Sequence, residues 1–205
     1  MTLTFPNVVG NIEVYMDVMR AICGDTEGKS MIDLMCAFAP NTPKLGFSKR
    51  CYVDVLPREL DHKEEQQFFR QMDVLQLACP DWIIDAKVIN PFDVAICSDG
   101  IEHLKLEDGM KLIRTMIMLS HKQIIFTPLT DLFGMAEDDN NDPEAHRSLW
   151  KPEMLPGMNA IVFPDYHKKW NGSAWFGWRS PWGADEYERI KSILKTKQWA
   201  YGVHE

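Results

Sequence analysis

The chain has 205 residues, of which 45% are hydrophobic and 25% are charged, so it can bury a full core without disulfides or a structural metal. Lys and Arg total 22 against 30 Asp and Glu, which gives a formal net charge of −8. That balance argues against a nucleic-acid partner, because proteins that bind phosphate backbones usually present a basic face.

No run of about 18 apolar residues occurs, so no membrane span is predicted. The N-terminal residues lack the pattern of a signal peptide. The five cysteines are odd in number and form no C-x-x-C pair, which suggests neither a disulfide framework nor a zinc site. We therefore expect a soluble, cytoplasmic protein with free thiols.

Alternating helices and strands are predicted over the first two thirds of the chain. Apolar residues three and four positions apart predict helices over residues 11–23 and 105–121, and a charged run that begins at Pro57 predicts another over 57–72. Short apolar runs predict strands within residues 30–38, 51–57, 72–75, 91–97 and 122–127. Strands of this kind favour a parallel sheet covered by helices on both faces.

The last third differs in character. Residues 161–167 and 173–180 predict two strands joined by a turn at Asn171-Gly172, and residues 184–199 predict a closing helix. Acidic residues crowd positions 137–144, which we interpret as a solvated loop rather than a cation site. The sequence therefore predicts a single α/β domain over residues 1–205, a Rossmann-like doubly wound sheet that is mostly parallel and has a C-terminal antiparallel hairpin.

Acidic residues end or follow four successive predicted strands, at Asp33, Asp54, Asp73 and Asp99. In open α/β sheets, ligands bind beyond the carboxyl ends of the strands. Asp33 and Asp54 are 21 residues apart, close to the ~20 that separate a cofactor-binding turn from the acidic residue that accepts hydrogen bonds from a ribose diol. Each of these carboxylates has an alternative role as a helix N-cap.

Five segments resemble motifs of the class I S-adenosylmethionine-dependent methyltransferases, over about residues 30–180. MIDLMCAFAPNTPKL resembles the first motif, YVDVLP the second strand, QMDVLQL the third, and HRSLWKPEML a segment that follows the fifth strand in some members. FDVAICSDGIEHL is the most specific, because D-x-x-x-x-S-D-x-x-E-H-L is common in methyltransferases of small molecules. The resemblance implies methyl transfer from S-adenosylmethionine to a small molecule or another polar acceptor.

The resemblance also implies which residues hold S-adenosylmethionine. Asp33 would begin the loop under the cofactor, Asp54 would hold the ribose hydroxyls, and Asp73 or the backbone at Val74 would meet the adenine. The implied cofactor-binding residues are Asp33, Met35, Ala37, Asp54, Val55, Asp73, Val74, Ser98 and Asp99. The domain then divides into an N-terminal helical segment (1–28), a cofactor-binding core (30–130) and a variable insertion on the acceptor side (131–170).

The first motif departs from the family pattern D-x-G-x-G-x-G, in which glycine permits positive φ and a close approach of the cofactor. Met35, Ala37 and Ala39 occupy the three glycine positions. This departure leaves two alternatives open. One is a non-catalytic binding or scaffold protein with the methyltransferase fold and an altered cofactor site. The other is a different reaction of the same cofactor, such as cleavage.

Histidines are the candidate general bases, because imidazole titrates near neutral pH. We expect His103 or His146 to take a proton from the acceptor, and Trp150 and His167 to bind it, with Trp150 facing the cleft. Each histidine has an alternative structural role. No metal ligand set is predicted. The absence of N-P-P-Y and D-P-P-Y after the fourth strand of the cofactor-binding core argues against an amino methyltransferase that flips bases.

Overall fold

The computed structural model describes residues 1–78, 92–130, 142, 144–167, 172–197 and 199. Eight strands are present in this part of the chain: β1 (Thr2–Thr4), β2 (Ser30–Leu34), β3 (Lys49–Asp54), β4 (Phe69–Gln71), β5 (Phe92–Ser98), β6 (Ser120–Pro128), β7 (Asn159–His167) and β8 (Gly172–Arg179). The α-helices described are α1 (Ile12–Cys23), α2 (Leu106–Leu119) and α3 (Gly183–Lys195). None of the helices in the described ranges is both long and apolar enough to cross a membrane.

The strands form a single sheet in the order β1-β7-β8-β6-β5-β2-β3-β4. Strand β8 is antiparallel to both β6 and β7, and every other pairing is parallel. The order reverses between β2 and β5, so the carboxyl ends of these two strands open a crevice where ligands bind in folds of this type. The predicted doubly wound sheet with a C-terminal antiparallel hairpin is confirmed.

Buried apolar residues cover both faces of the sheet. Helices α1 and α3 pack on one face, where Met19, Ile22 and Ile190 are fully buried. Helix α2 packs on the other, where Leu112 and Met116 are fully buried. Alternate residues of the strands therefore contact different helices, which is why the strands read as continuous apolar runs.

The connection between β3 and β4 differs from the prediction. The helix expected over residues 57–72 is wrong, because only Lys63–Phe68 is helical and that turn is a 3-10 helix. The strand expected at 72–75 is also displaced, since β4 occupies Phe69–Gln71 and a 3-10 helix follows at Val74–Ala78. Phe68 and Phe69 pack against the core, and the polar residues before them provide no apolar stripe for a full helix.

One other difference concerns a short strand. Strand β1 was not expected, and its three residues pair in parallel with Ala160–Val162 of β7. The turn predicted at Asn171-Gly172 lies partly outside the described residues, as do most of the acidic positions from 137 to 144. The helices predicted over 11–23 and 105–121 are confirmed within two residues at either end.

Candidate functional site

A cleft lies at the carboxyl ends of β2, β3 and β5 and consists of two adjoining cavities. We name them the first cavity, of about 350 Å³, and the second cavity, of about 380 Å³. Ala37 and Asp99 line both, so the two spaces meet at these residues. Every residue predicted to hold the cofactor lines one cavity or the other. The first is lined by Met35, Ala37, Asp54, Val55, Asp73, Val74 and Asp99, and the second by Asp33, Ala37, Ser98 and Asp99.

The loop after β2 contains no glycine, yet its backbone adopts the positive φ angles that usually require glycine. Met35, Ala37 and Ala39 have φ values of 59°, 47° and 46°, which lie in the left-handed region. That region costs L-residues roughly 1–2 kcal/mol each, because Cβ approaches the following carbonyl oxygen. Backbone hydrogen bonds retain the conformation, since the Cys36 N–H donates to the Val53 carbonyl (3.1 Å) and the Ala39 N–H to the Cys36 carbonyl (2.7 Å).

Gly100 makes room for the side chain of Met35. A Cβ placed on Gly100 would lie 2.9 Å from Cβ of Met35, which is closer than real Cβ contacts, and a tight 3.0 Å from Sγ of Cys97. The methionine therefore packs against the glycine backbone while also lining the first cavity. A methionine side chain therefore lies at the cavity wall where the resembled motif has glycine.

The carboxylate of Asp54 links the loop to a neighbouring arginine. Its Oδ2 accepts a hydrogen bond from the Ala37 N–H (3.0 Å), and its Oδ1 lies 3.5 Å from Nε of Arg58. Arg58 also pairs with Glu144 and lies over the ring of Phe38, 5.2 Å from the centroid. This bridge was not predicted, although Arg58 follows Asp54 by four residues in the sequence. Glu144 is distant in sequence, so its approach depends on the fold.

Two other acidic residues of the set have structural contacts of their own. Asp33 is buried, and the Thr42 hydroxyl donates to its Oδ2 at 2.6 Å. Burial raises the pKa of Asp33 to about 7, against a smaller opposite effect of the Thr42 hydrogen bond. Asp73 accepts a hydrogen bond from the Leu75 N–H (2.9 Å) and so caps the 3-10 helix that follows. The capping alternative therefore has direct support at Asp73.

The second cavity is acidic and aromatic. The Tyr15 hydroxyl donates to Oγ of Ser98 (2.9 Å), and the rings of Phe126 and Tyr166 complete one wall. Asp99 has a left-handed φ of 48° and lines the cleft, and desolvation by the surrounding protein raises the pKa of its carboxyl. Tyr15 and Tyr166 were not predicted to line the cleft, because one lies in α1 and the other in β7, far from the strand ends in sequence.

The predicted acceptor-binding residues have different surroundings. His167 lines the second cavity and is half-buried, and burial lowers its pKa. The prediction that Trp150 faces the cleft is wrong, because its ring is fully buried against α2. A Cβ on Gly109 would lie only 2.2 Å from Cζ2 of this ring. The indole N–H donates to Oγ of Ser148 (2.7 Å), which satisfies its polar group inside the core.

Three side chains of types that can ligate a metal ion lie close together beside the first cavity. One ligand atom each from Glu102, His103 and His146 all lie within 4.8 Å of one another. His103 lines the first cavity, and its ring centroid is 5.1 Å from that of His146. Glu102 is buried, and burial together with the charge of Asp99 raises the pKa of its carboxyl. No metal ligand set was predicted from the sequence, although His103 and His146 belong to segments that resemble methyltransferase motifs.

Comparison with known proteins shows the fold. No family model matches the chain, and no curated protein matches it in sequence. Magnesium protoporphyrin IX methyltransferase from Synechocystis PCC 6803 with bound SAH is similar, with 14% identity over 82% of each chain and a TM-score of 0.55. The methyltransferase domain of bacterial CtHen1 gives 14% identity, covering 83% of this chain and all of that one (100%), at a TM-score of 0.53. The DhpI-SAM-HEP complex gives 10% identity, 82% and 86% coverage, and a TM-score of 0.51.

The chain therefore has the Rossmann-like fold of these methyltransferases. At this level of identity the likeness extends to the path of the backbone and not to a common acceptor. What the cleft can do chemically depends on its own side chains. Carboxylates lie at or just after the ends of four strands, and each of the two adjoining cavities is lined by one imidazole.

Proposed function

We propose that this chain is an S-adenosylmethionine-dependent methyltransferase that acts on a small-molecule or other polar acceptor. The observation that carries the proposal is the backbone after β2, which has positive φ at each of the three positions where the resembled motif has glycine. Left-handed backbone at non-glycine residues costs stability, and such strained residues cluster at ligand-binding sites. Three of them at the glycine positions therefore support a cofactor site here.

The two cavities fit the two ends of such a cofactor. The first cavity has Asp54 at the strand end expected to meet a ribose and Val74 at the one expected to meet an adenine. The second has the buried carboxyl of Asp33 and the rings of Tyr15 and Tyr166, which suit a cationic methionine end. When bound, the cofactor supplies a methyl group on a positively charged sulfur.

The residues of the chain would mainly position the two reactants, since methyl transfer is an in-line displacement that needs orientation above all. We place the acceptor in the second cavity, beside His167. The lowered pKa of His167 keeps its imidazole neutral near pH 7, so it is able to accept a proton from a polar acceptor. His103 lines the first cavity and His146 lies next to it, so neither is proposed to contact the acceptor in the second cavity.

The test is calorimetric titration with S-adenosylhomocysteine, which resembles the cofactor without its methyl group. We expect Asp54→Asn to weaken binding at least tenfold, because a neutral amide accepts hydrogen bonds from a ribose diol less strongly than a carboxylate. Asp185→Asn, an exposed change at the start of α3, is the matched control and should leave the affinity unaltered. Binding weaker than millimolar in the wild type, or equal affinity in both variants, would refute the proposal.

A specific observation also favours the non-catalytic alternative. The carboxylate expected to meet the ribose is already paired with Arg58, and Met35 takes up room that glycine would leave. If these contacts closed the site, the fold would serve as a binding or scaffold module. The same titration separates the two alternatives, because a protein with a closed site would show no S-adenosylhomocysteine binding, either as wild type or as any variant.

A further inference from the structure

We propose that Glu102, His103 and His146 bind a divalent transition-metal ion at the side of the first cavity. The proposal concerns metal binding alone and does not depend on methyl transfer. It uses the E-H pair after β5 and the histidine of the HRSLW segment, whose proximity the proposed function leaves unexplained.

The distances are close to those of a metal site. Zinc ligands lie about 2.1 Å from the ion, so neighbouring ligand atoms in a tetrahedral site are roughly 3.4 Å apart. The three ligand atoms here lie within 4.8 Å of one another, and small rotations of the two half-buried rings would close the difference. His103 lines the cavity, which gives an ion a route from solvent.

The backbone that carries the ligands is held together independently of any ion. The N–H groups of Arg147 and Ser148 both donate to the Glu102 carbonyl, at 2.7 and 3.1 Å. The Arg147 guanidinium donates to the His103 carbonyl (3.1 Å), which fixes the histidine segment against the turn after β5. The three ligands therefore come from two segments that are already joined.

A supporting contact also orients the buried carboxylate. The Thr127 hydroxyl at the end of β6 donates to Oε2 of Glu102 at 2.9 Å, with both residues buried. Metal-binding carboxylates typically have such hydrogen-bonded partners, whose loss weakens metal affinity about 10–100-fold. Glu102 thus has the fixed position that a ligand needs, on the inner side of the two imidazoles.

The ligand types select the class of metal. Two imidazoles with one carboxylate suit Zn²⁺, Fe²⁺ and similar ions, whereas Mg²⁺ and Ca²⁺ prefer oxygen ligands alone. Three protein ligands leave at least one coordination position open, which is typical of sites that act on a ligand rather than purely structural ones. We infer that this open position faces the first cavity, which His103 lines.

The experiment is titration of the tag-free, chelator-treated protein with Co²⁺, followed by visible absorption and calorimetry. We expect one ion per chain, and at least 100-fold weaker binding in His146→Ala and His103→Ala. Thr127→Val should weaken binding about 10-fold or more while leaving all three ligands in place. His121→Ala, an exposed histidine at the start of β6, is the control and should bind Co²⁺ as the wild type does.

Circular dichroism of each metal-free variant checks that the fold is retained, and His146→Gln provides a polar replacement if His146→Ala does not fold. The proposal is overturned if the wild type binds Co²⁺ no more tightly than the folded His103 and His146 variants. It is also overturned if the spectrum shows a thiolate-to-cobalt band, because the ion would then be held by a cysteine.

Discussion

Replacing Ala37 by glycine tests whether the loop after β2 is strained. Ala37 has a φ of 47°, and relief of the left-handed strain should gain roughly 1–2 kcal/mol. Glycine also frees the unfolded chain, which costs about 0.4–1 kcal/mol. Ala37 is half-buried and its N–H bond to Asp54 survives the change, so little packing is lost. The net expectation is a stabilisation of about 0.5–1 kcal/mol, or about 2 °C in Tm for a chain of this size.

The assay is urea unfolding of wild type and variant, with Ala184→Gly as the control. Ala184 is exposed in the first turn of α3, where glycine has only its usual helix penalty, so that variant should lose up to about 1 kcal/mol. The two alanine-to-glycine changes are therefore predicted to have opposite signs. If Ala37→Gly destabilises the protein as much as Ala184→Gly does, the loop is not strained and the argument from positive φ fails.

Three further changes have defined outcomes. Arg58→Gln should release Asp54 and tighten S-adenosylhomocysteine binding by up to about fivefold, or ~1 kcal/mol, because the Arg58–Asp54 pair is long, at 3.5 Å between Nε and Oδ1; unchanged or weaker binding in calorimetry would show that the pair does not compete. Gly109→Ala should destabilise the protein by more than ~1 kcal/mol in urea unfolding, because its Cβ would lie 2.2 Å from the Trp150 ring, although helix propensity alone predicts a gain. The raised pKa of Asp33, about 7 against 3.8, means that the folded protein keeps a proton the unfolded chain releases. Stability should therefore fall by about 1.4 kcal/mol between about pH 6 and 8 from this residue alone, and Asp33→Asn should remove that share of the pH dependence; a variant with an unchanged pH profile would contradict the assignment.

Much of the fold could be predicted because the strands of the sheet are buried on both faces. A largely apolar run as short as residues 92–97 is typical of a strand buried on both faces, and the polar residue at its end indicates the edge of the sheet where ligands bind. The segment between β3 and β4 could not be predicted in the same way. Its structure depends on Phe68 and Phe69 reaching the core, a tertiary effect that outweighs the helix-favouring charged residues before them.

Residues of the candidate site could be predicted where they adjoin a strand end, and could not where they come from distant segments. Residues that follow directly from a strand end, such as Asp54 and Asp99, were predicted and do line the cleft. Tyr15 and Glu144 were not predicted, because they reach the cleft from an N-terminal helix and a distant loop. Trp150 was misplaced for a related reason: sequence cannot tell a tryptophan beside a pocket from one packed on a helix glycine.

Arg58 has a consequence for how the two proposed sites communicate. Its guanidinium joins Asp54, at the ribose end of the first cavity, to Glu144, two residues before the metal-binding His146. A ligand that draws Asp54 away from Arg58 alters the contacts of the segment that carries His146. Thermodynamic linkage makes this effect reciprocal. If a bound ion changes the affinity for S-adenosylmethionine by some factor, bound S-adenosylmethionine changes the affinity for the ion by the same factor. Through this one arginine, the ligand that binds second would meet an affinity changed by that coupling factor, whichever of the two ligands binds first.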